Sequence, residues 1–284
     1  MTNTISLIQL SDLHLPNPGQ LLPAAQCGPA PVVPVDPWQR LYDAVELIRD
    51  LRPHALAVTG DILDRANTEP ETSLRMVADL FAQLTRDHGI PVVTIPGNHD
   101  APGSIGEAFN LTSVRSMRTM QRRIKSTVHL VTTSAGILRV IGLDSGGYDQ
   151  PHGHLDYDQL RWFEQELGRE FDGHTVVLLH HPPVPAPVEV MADKQLANTE
   201  EFGLTISQNR MQIDLMLTGH FHHSHKTDFL GVPLWCGPAA SYNVYGQWHW
   251  DTTGWLSVIE LAKTKEPRIL VLPLPASEFA KYEL

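Results

Sequence analysis

The sequence predicts an α/β fold of two stacked mixed β-sheets flanked by helices. Short apolar runs rich in Val, Ile and Leu read as buried strands. Helical stretches with one apolar face alternate with them, and the carboxyl-terminal third holds strand-like runs separated only by turns.

The runs at 5–10, 55–59, 91–95, 175–179 and 214–218 are bounded by Gly, Pro or Asp and are short for helices, so each is expected to be a buried strand. Between them Trp38, Leu41, Val45 and Ile48 recur at helical spacing. Leu74, Val77, Phe81 and Leu84 repeat the pattern before Gly89, and Leu160, Phe163 and Leu167 begin a third helix that stops at Gly168. The runs at 232–236, 255–259 and 268–272 are expected to form an antiparallel second sheet that, together with 138–143, completes the sandwich. Two segments stand outside this pattern. The stretch 16–37 is crowded with Pro and Ala and follows His14 directly, which makes it either a surface insertion or a lid over a site there. The stretch 104–125 carries Arg115, Arg118, Arg122, Arg123 and Lys125 and reads as a helix with a solvated basic face. With no internal repeat and no long low-complexity tract, residues 1–284 read as one domain carrying the proline-rich insertion at 16–37.

At 42% hydrophobic residues, a chain of 284 can bury a substantial core. Its formal charge of −11 disfavours nonspecific wrapping of nucleic acid, which needs a basic surface, so no stable nucleic-acid complex is expected. No apolar run approaches a membrane span and Met1-Thr2-Asn3-Thr4 lacks the basic start of a secretory signal, so the cytoplasm is the expected compartment. The two cysteines, Cys27 in the insertion and Cys236 in an expected strand, read as reduced thiols rather than a disulfide.

The chemistry lies where the first five runs end. They lead into Asp12-Leu13-His14, Gly60-Asp61-Ile62-Leu63-Asp64, Gly97-Asn98-His99-Asp100, His180-His181-Pro182 and Gly219-His220-Phe221-His222. In sheets covered by helices, ligands collect beyond the carboxyl ends of the strands, so these five polar tips can converge. Oxygen and imidazole donors with almost no thiolate suit Mn, Fe, Zn or Co and argue against a structural cysteine-zinc site. Singly, each residue has a plainer reading: Asp12 or Asp61 caps a helix, Asn98 turns the chain after Gly97, and His180 is a hydrogen-bonded core imidazole. Jointly they read as a metal site, in which the backbone after Gly219 must twist to present both His220 and His222.

In the order D-x-H, G-D-x-x-D, G-N-H-D, H-x-P, G-H-x-H, these motifs make the chain from Asp12 to at least His222 resemble the calcineurin-like metallophosphoesterase superfamily. The segments 175–184 and 219–222 look most like bacterial class III cyclic nucleotide phosphodiesterases and their glycerophosphodiesterase relatives. The resemblance implies a four-layer sandwich and two metal ions, one held by Asp12, His14 and His222, the other by Asn98, His180 and His220, with Asp61 bridging. Two such cations, about 3.5 to 4 Å apart, activate a shared water and clamp the phosphoryl oxygens, so attack by metal-bound hydroxide without a covalent phosphoenzyme is expected.

By the same resemblance His99 supports the leaving group or the charge developing on phosphate, and Asp64 is its orienting partner. Arg65 is a secondary candidate for a phosphate contact through its guanidinium fork, with a surface salt bridge as the plainer reading, and Asn98 and His99 are candidates to touch substrate. His181 occupies the variable position of H-x-P, so His180 is the preferred ligand. His223 and His225 are left open as supporting or competing ligands, His152 and His154 as rim residues. His54, His88, His129 and His174 are expected at helix ends or strand starts, explained by capping or solvent.

The implied substrate is a small phosphodiester, 3′,5′-cyclic AMP foremost. A glycerophosphodiesterase or a phosphomonoesterase on the same metals is the alternative. A noncatalytic interaction module stands further off because all seven side chains can coordinate, and a DNA nuclease because the chain is acidic. Two departures from close cyclic nucleotide phosphodiesterases fall on the substrate side: the insertion after His14, and Ala101-Pro102-Gly103, which lacks the charge often found after G-N-H-D. A homo-oligomer is also implied, with Trp235, Trp248, Trp250 and Trp255 available for a core or a subunit contact.

Overall fold

The computed structural model describes residues 4–22, 34–109, 114–118, 124–146, 150–245, 250–262 and 265–274. Its strands are β1 (Thr4–Leu10), β2 (Ala55–Val58), β3 (Val92–Thr94), β4 (Arg115–Arg118), β5 (Ile124–Thr133), β6 (Gly136–Leu143), β7 (His174–Leu179), β8 (Leu215–Thr218), β9 (His225–Phe229), β10 (Val232–Cys236), β11 (Asn243–Val244), β12 (Trp250–Asp251), β13 (Trp255–Ala262) and β14 (Lys265–Pro273). The helices are α1 (Pro37–Leu51), α2 (Pro70–His88), α3 (Ser104–Phe109), α4 (Tyr157–Leu167) and α5 (Thr199–Asn209).

Side-chain alternation along the strands decides how these elements stack. In β1, Ile5 and Leu7 face a core shared with the second sheet, while Ile8 and Leu10 face α1 and α2 through Leu41, Ile48, Val77 and Phe81. In β7, Val176 and Leu178 face the same inter-sheet core, and Val177 and Leu179 face α4 and α5 through Phe163, Leu167, Phe202 and Ile206. Apolar residues on both strand faces therefore specify four layers, helix, sheet, sheet, helix, as expected. One sheet runs β14-β13-β1-β2-β3 and the other β4-β5-β6-β7-β8-β10-β9, each mixing parallel and antiparallel pairs.

The first two expected helices start on cues in the sequence. Pro37 opens α1, the Asp36 carboxylate caps it by accepting from Gln39 N at 3.0 Å, and Pro70 opens α2, which ends on left-handed Gly89. No helix among the described residues is long and apolar enough to cross a membrane.

Two expectations change. The carboxyl-terminal strands do not form a sheet of their own: β10 joins β8 in parallel, whereas β13 pairs antiparallel with β1, placing Ile259 opposite Leu7, and β14 extends that edge. The stretch 104–125 is not one helix. After α3 the chain alternates, with Arg115 and Met117 half-buried and Ser116 and Arg118 exposed, and β4 pairs with β5. Two of its cations meet acids, Arg115 on Glu166 and Lys125 on Asp156, both at 2.6 Å, while Arg122 and Arg123 lie outside the described residues. The insertion at 16–37 closes at its neck, where buried Leu22 and Val35 form an antiparallel bridge and Trp38 Nε1 donates to the Pro16 carbonyl at 2.9 Å. Residues 23–33, with Cys27, lie outside the described residues, as does Trp248.

Candidate metal centre

All five motifs sit just past the carboxyl ends of strands: Asp12 and His14 after β1, Asp61 and Asp64 after β2, Asn98 and His99 after β3, His180 after β7, and His220 and His222 after β8. Because β1 to β3 belong to one sheet and β7 and β8 to the other, the residues meet where the two sheets end side by side. The backbone there is strained. Among the described residues, seven non-glycine residues take a left-handed φ, and five of them are Asp12 (52°), His14 (46°), Asp61 (51°), His220 (71°) and His222 (50°). Each such residue costs roughly 1 to 2 kcal/mol, a cost borne where side chains must be re-aimed. The two left-handed residues of the last motif supply the twist that the sequence required of it.

Close approach explains the motif glycines. A Cβ on Gly97 would strike the Asp61 carboxylate and amide, and one on Gly60 would lie 2.6 Å from His180 Nδ1. One on Gly219 would strike Ser11 Oγ and lie 2.6 Å from Asp12 Oδ2.

The expected ligands are brought together and buried. Asp12, His14 and His222 form one group of convergent donor atoms, with His14 Nε2 2.9 Å from His222 Nε2 and His222 Nε2 3.5 Å from Asp12 Oδ1. Asp61 Oδ2 lies 3.6 Å from His14 Nε2 and 3.4 Å from His180 Nε2, so this carboxylate stands between the two halves of the site. His180 Nε2 is 3.2 Å from the Asn98 carboxamide oxygen, and His220 groups with His180.

Backbone carbonyls set the imidazole tautomers. His180 Nδ1 donates to Thr59 O and His222 Nδ1 to Tyr242 O, both at 2.7 Å, which leaves each Nε2 facing the carboxylates. His220 is turned the other way, its Nε2 donating to Pro151 O at 2.8 Å, which leaves Nδ1 as its donor atom. The Asp12 carboxylate also accepts the His220 amide, at 3.1 Å, tying β1 to the last motif.

Electrostatics suit cations. Asp12, Asp61 and Asp64 are buried, and each faces imidazoles: His222 beside Asp12, His14 and His180 beside Asp61, and His14 beside Asp64. Buried charge of this kind is held by a partner or a metal. Burial pushes the Asp61 pKa up, but His180, His99 and His14 outweigh it and hold it well below the usual range, so it stays ionised. Burial, with His180 beside it, holds His220 far below its usual value, and burial holds His222 at about 4, so both keep a lone pair for a metal at neutral pH. Carboxylate, carboxamide and neutral imidazole donors converging on two adjacent points fit a pair of borderline divalent ions.

The remaining site candidates divide. His99 is beside the centre, its Nε2 3.9 Å from Asp61 Oδ2 and its amide donating to Asp61 Oδ1 at 2.8 Å. Asp64, expected to orient His99, is instead placed against His14, with Oδ2 3.7 Å from Nδ1, while its Oδ1 accepts from Ala66 N at 2.8 Å. His99 Nδ1 is buried without a hydrogen-bond partner among the described residues. The reason is local: the Asp64 carboxylate is engaged by its own turn, on the β1 side of the site. Arg65 and His99 line a cavity of about 230 Å³ with His14, Asp61, Asn98 and Lys194. No described residue of 16–37 lines it. His223 Nδ1 donates to the Val244 carbonyl and His225 lies in β9, neither in a donor group.

Three contributors escaped the sequence reading. Buried Asp100 accepts from Ile62 N, Leu63 N and Gly97 N, at 3.2, 3.0 and 2.9 Å, and so locks the second motif to the third; its place as the last letter of G-N-H-D was the available signal. His181, set aside above, is fully buried, grouped with His180 and His220, and bonded through Nδ1 to Ser145 Oγ at 2.7 Å. Tyr242 packs on His222 and His14, with ring centroids 4.4 and 5.8 Å away, and nothing in its surrounding sequence marks it.

Comparison with known proteins agrees with this geometry. The family model for calcineurin-like phosphoesterases matches residues 5–224. A cAMP/cGMP dual specificity phosphodiesterase of Mycobacterium tuberculosis is 29% identical over 238 residues, 83% of this chain and 67% of that protein. The 3′,5′-cyclic adenosine monophosphate phosphodiesterase CpdA of Escherichia coli is 26% identical over 240 residues, 83% of this chain and 76% of that protein. A probable glycerophosphodiester phosphodiesterase GpdQ of Arcobacter nitrofigilis is 26% identical over 224 residues, 78% and 73% of the two chains. A dimetal phosphatase structure from Danio rerio shares the fold, with a TM-score of 0.65 at 14% identity over 95% of this chain and 99% of that one. A family model spanning all five motifs, over a site where their side chains meet, establishes that this chain belongs to the calcineurin-like phosphoesterase family of phosphoric ester hydrolases.

Proposed function

We propose that the chain hydrolyses small phosphodiesters at a dinuclear metal centre, with 3′,5′-cyclic nucleotides, cyclic AMP first, as substrates. The observation that carries this reading is the gathering of Asp12, His14, Asn98, His180, His220 and His222 about Asp61, five of the seven lining one cavity. Asp12, His14 and His222 would hold one ion, Asn98, His180 and His220 the other, and Asp61 both. When bound, such a pair supplies an activated water and positive charge for the phosphoryl oxygens.

The chain's own groups do the rest. Asp61, anchored by the His99 amide, keeps its charge against burial because His180, His99 and His14 surround it, and gives the site a fixed anionic centre. The Thr59 and Tyr242 carbonyls hold the imidazoles of His180 and His222 in the donor tautomer. Burial keeps the pKa of His99 at about 3, so at neutral pH it meets substrate as a neutral imidazole that donates one hydrogen bond to a phosphoryl or leaving-group oxygen. Met191, Val244 and Tyr242 supply an apolar wall for the organic part of the ester. The relatives named as cyclic nucleotide phosphodiesterases support the substrate class.

Steady-state rates with added Mn on cyclic AMP, bis(p-nitrophenyl) phosphate, p-nitrophenyl phosphate and a glycerophosphodiester test the reading. Diester turnover is expected to exceed monoester turnover, with cyclic AMP preferred over the glycerophosphodiester. A monoester rate far above every diester rate overturns it.

A further inference from the structure

We propose that Lys194 anchors the anionic phosphoryl group of the substrate and of its monoester product, an inference that rests on the phosphoesterase reading of the cavity. Lys194 lines the same 230 Å³ space as Asp61, Asn98 and His99. It lies outside all five motifs, on the loop that follows His180-His181-Pro182. It is half-buried, and its ammonium makes no ion pair or hydrogen bond with any described residue. In a chain with 32 acidic against 21 basic residues, a lysine drawn partly out of solvent without a carboxylate is out of keeping with the rest of the surface. Lysine heads are expected to reach water or a partner. An anionic ligand in the cavity is the partner this geometry lacks.

The loop holds the residue in place. Lys194 N donates to Met191 O at 3.0 Å, Leu196 N to Pro182 O at 2.9 Å and Ala197 N to Gly153 O at 2.8 Å, and Leu196 is buried. The amino group is thus hung from a pinned turn two residues before a buried anchor, while its stem gives it reach. The flank after Asp100 begins Ala101-Pro102 and brings no charge, so the cationic side chains on the cavity wall are Arg65, from the second motif, and Lys194. An ammonium is a compact point charge with three donors, suited to a phosphoryl group whose orientation changes during displacement. A diester carries one negative charge and a phosphate monoester close to two at neutral pH, so Lys194 is expected to favour product over substrate.

The test uses the metal-loaded full chain and three variants, K194Q, K194R and K194M. Loss of one charge-assisted contact is expected to raise KM for bis(p-nitrophenyl) phosphate, and the Kd of inorganic phosphate measured by calorimetry, by about tenfold in K194Q. Turnover is expected to stay within about threefold, with metal content and melting temperature unchanged, and K194R is expected to recover most of the phosphate affinity. If K194Q does not fold, K194M, which keeps the aliphatic stem, gives the same readout. Unchanged KM and phosphate Kd in a folded, metal-loaded variant overturn the proposal. A wild-type protein inactive on every diester overturns the functional reading instead, and the phosphate Kd still decides the role of Lys194.

Discussion

His180 and Thr59 join the two sheets at the floor of the site: the Nδ1–H at the end of β7 donates to the carbonyl at the end of β2 at 2.7 Å. One bond therefore fixes the imidazole tautomer and the distance between the sheet ends, with His180 Nε2 left 3.4 Å from Asp61 and 3.2 Å from Asn98. Burial pulls the His180 pKa down, but the Asp61 carboxylate outweighs it and holds the ring up at about 9. The same carboxylate attraction would favour a cation in that place.

His180→Ala removes the imidazole whose Nε2 faces both Asp61 and Asn98. Elemental analysis is expected to show metal content falling from two ions per chain toward one, and diester turnover to fall by at least about a hundredfold, in keeping with the loss of one half of a two-ion clamp. Two retained ions at full rate would sink the ligand assignment.

The positions of His99 and Asp64 separate two roles that the motif had joined. His99→Ala is expected to keep both metals and lose roughly 100- to 10,000-fold in kcat, as befits a group acting on the reacting oxygens. Asp64→Asn acts through His14, whose pKa is pulled down by burial yet raised overall by Asp64, Asp61 and Asp12. That variant is expected to weaken binding of one ion by roughly 10- to 100-fold and to recover activity in excess metal. If Asp64→Asn instead copies His99→Ala, with metals intact and no rescue, the pairing of Asp64 with His14 is wrong.

The strand ends were readable because their signal is local. An apolar run followed at once by Gly-Asp, Gly-Asn or Gly-His states both the strand and its polar tip, and the helices at Trp38, Leu74 and Leu160 declare themselves by spacing. The partner of a strand is not local. Nothing in the run at 255–259 says that Ile259 will lie opposite Leu7 rather than beside β10, because both edges are equally apolar. Arg115 to Arg118 misled for a related reason, since charge density there resembles a solvated helix and only pairing with Ser126, Thr127 and Val128 makes it an edge strand. Asp64 was legible as a site residue but its neighbour was not, because the motif spacing does not record which way a turn aims its carboxylate.

His129 illustrates how burial hidden from the sequence becomes a pH dependence. Expected at a strand start or helix end, it lies inside β5, 3% exposed, and burial holds its pKa at about 4. An unfolded histidine titrates near 6.5, so as pH falls the unfolded chain takes up the proton first. The neutral ring therefore contributes to stability in full above about 6.5, and that contribution is lost as pH falls through the window to about 4, a change on the order of 3 kcal/mol. His129→Gln leaves nothing to titrate there. Urea midpoints of chelator-treated protein at pH 7.5 and pH 4.5 are expected to lie closer together in the variant than in the wild type, whatever the variant's absolute stability at pH 7.5. Equal acid-induced losses in the two proteins would mean that His129 is protonated without cost in the folded chain, and that its place in β5 is less closed to solvent than the packing shows.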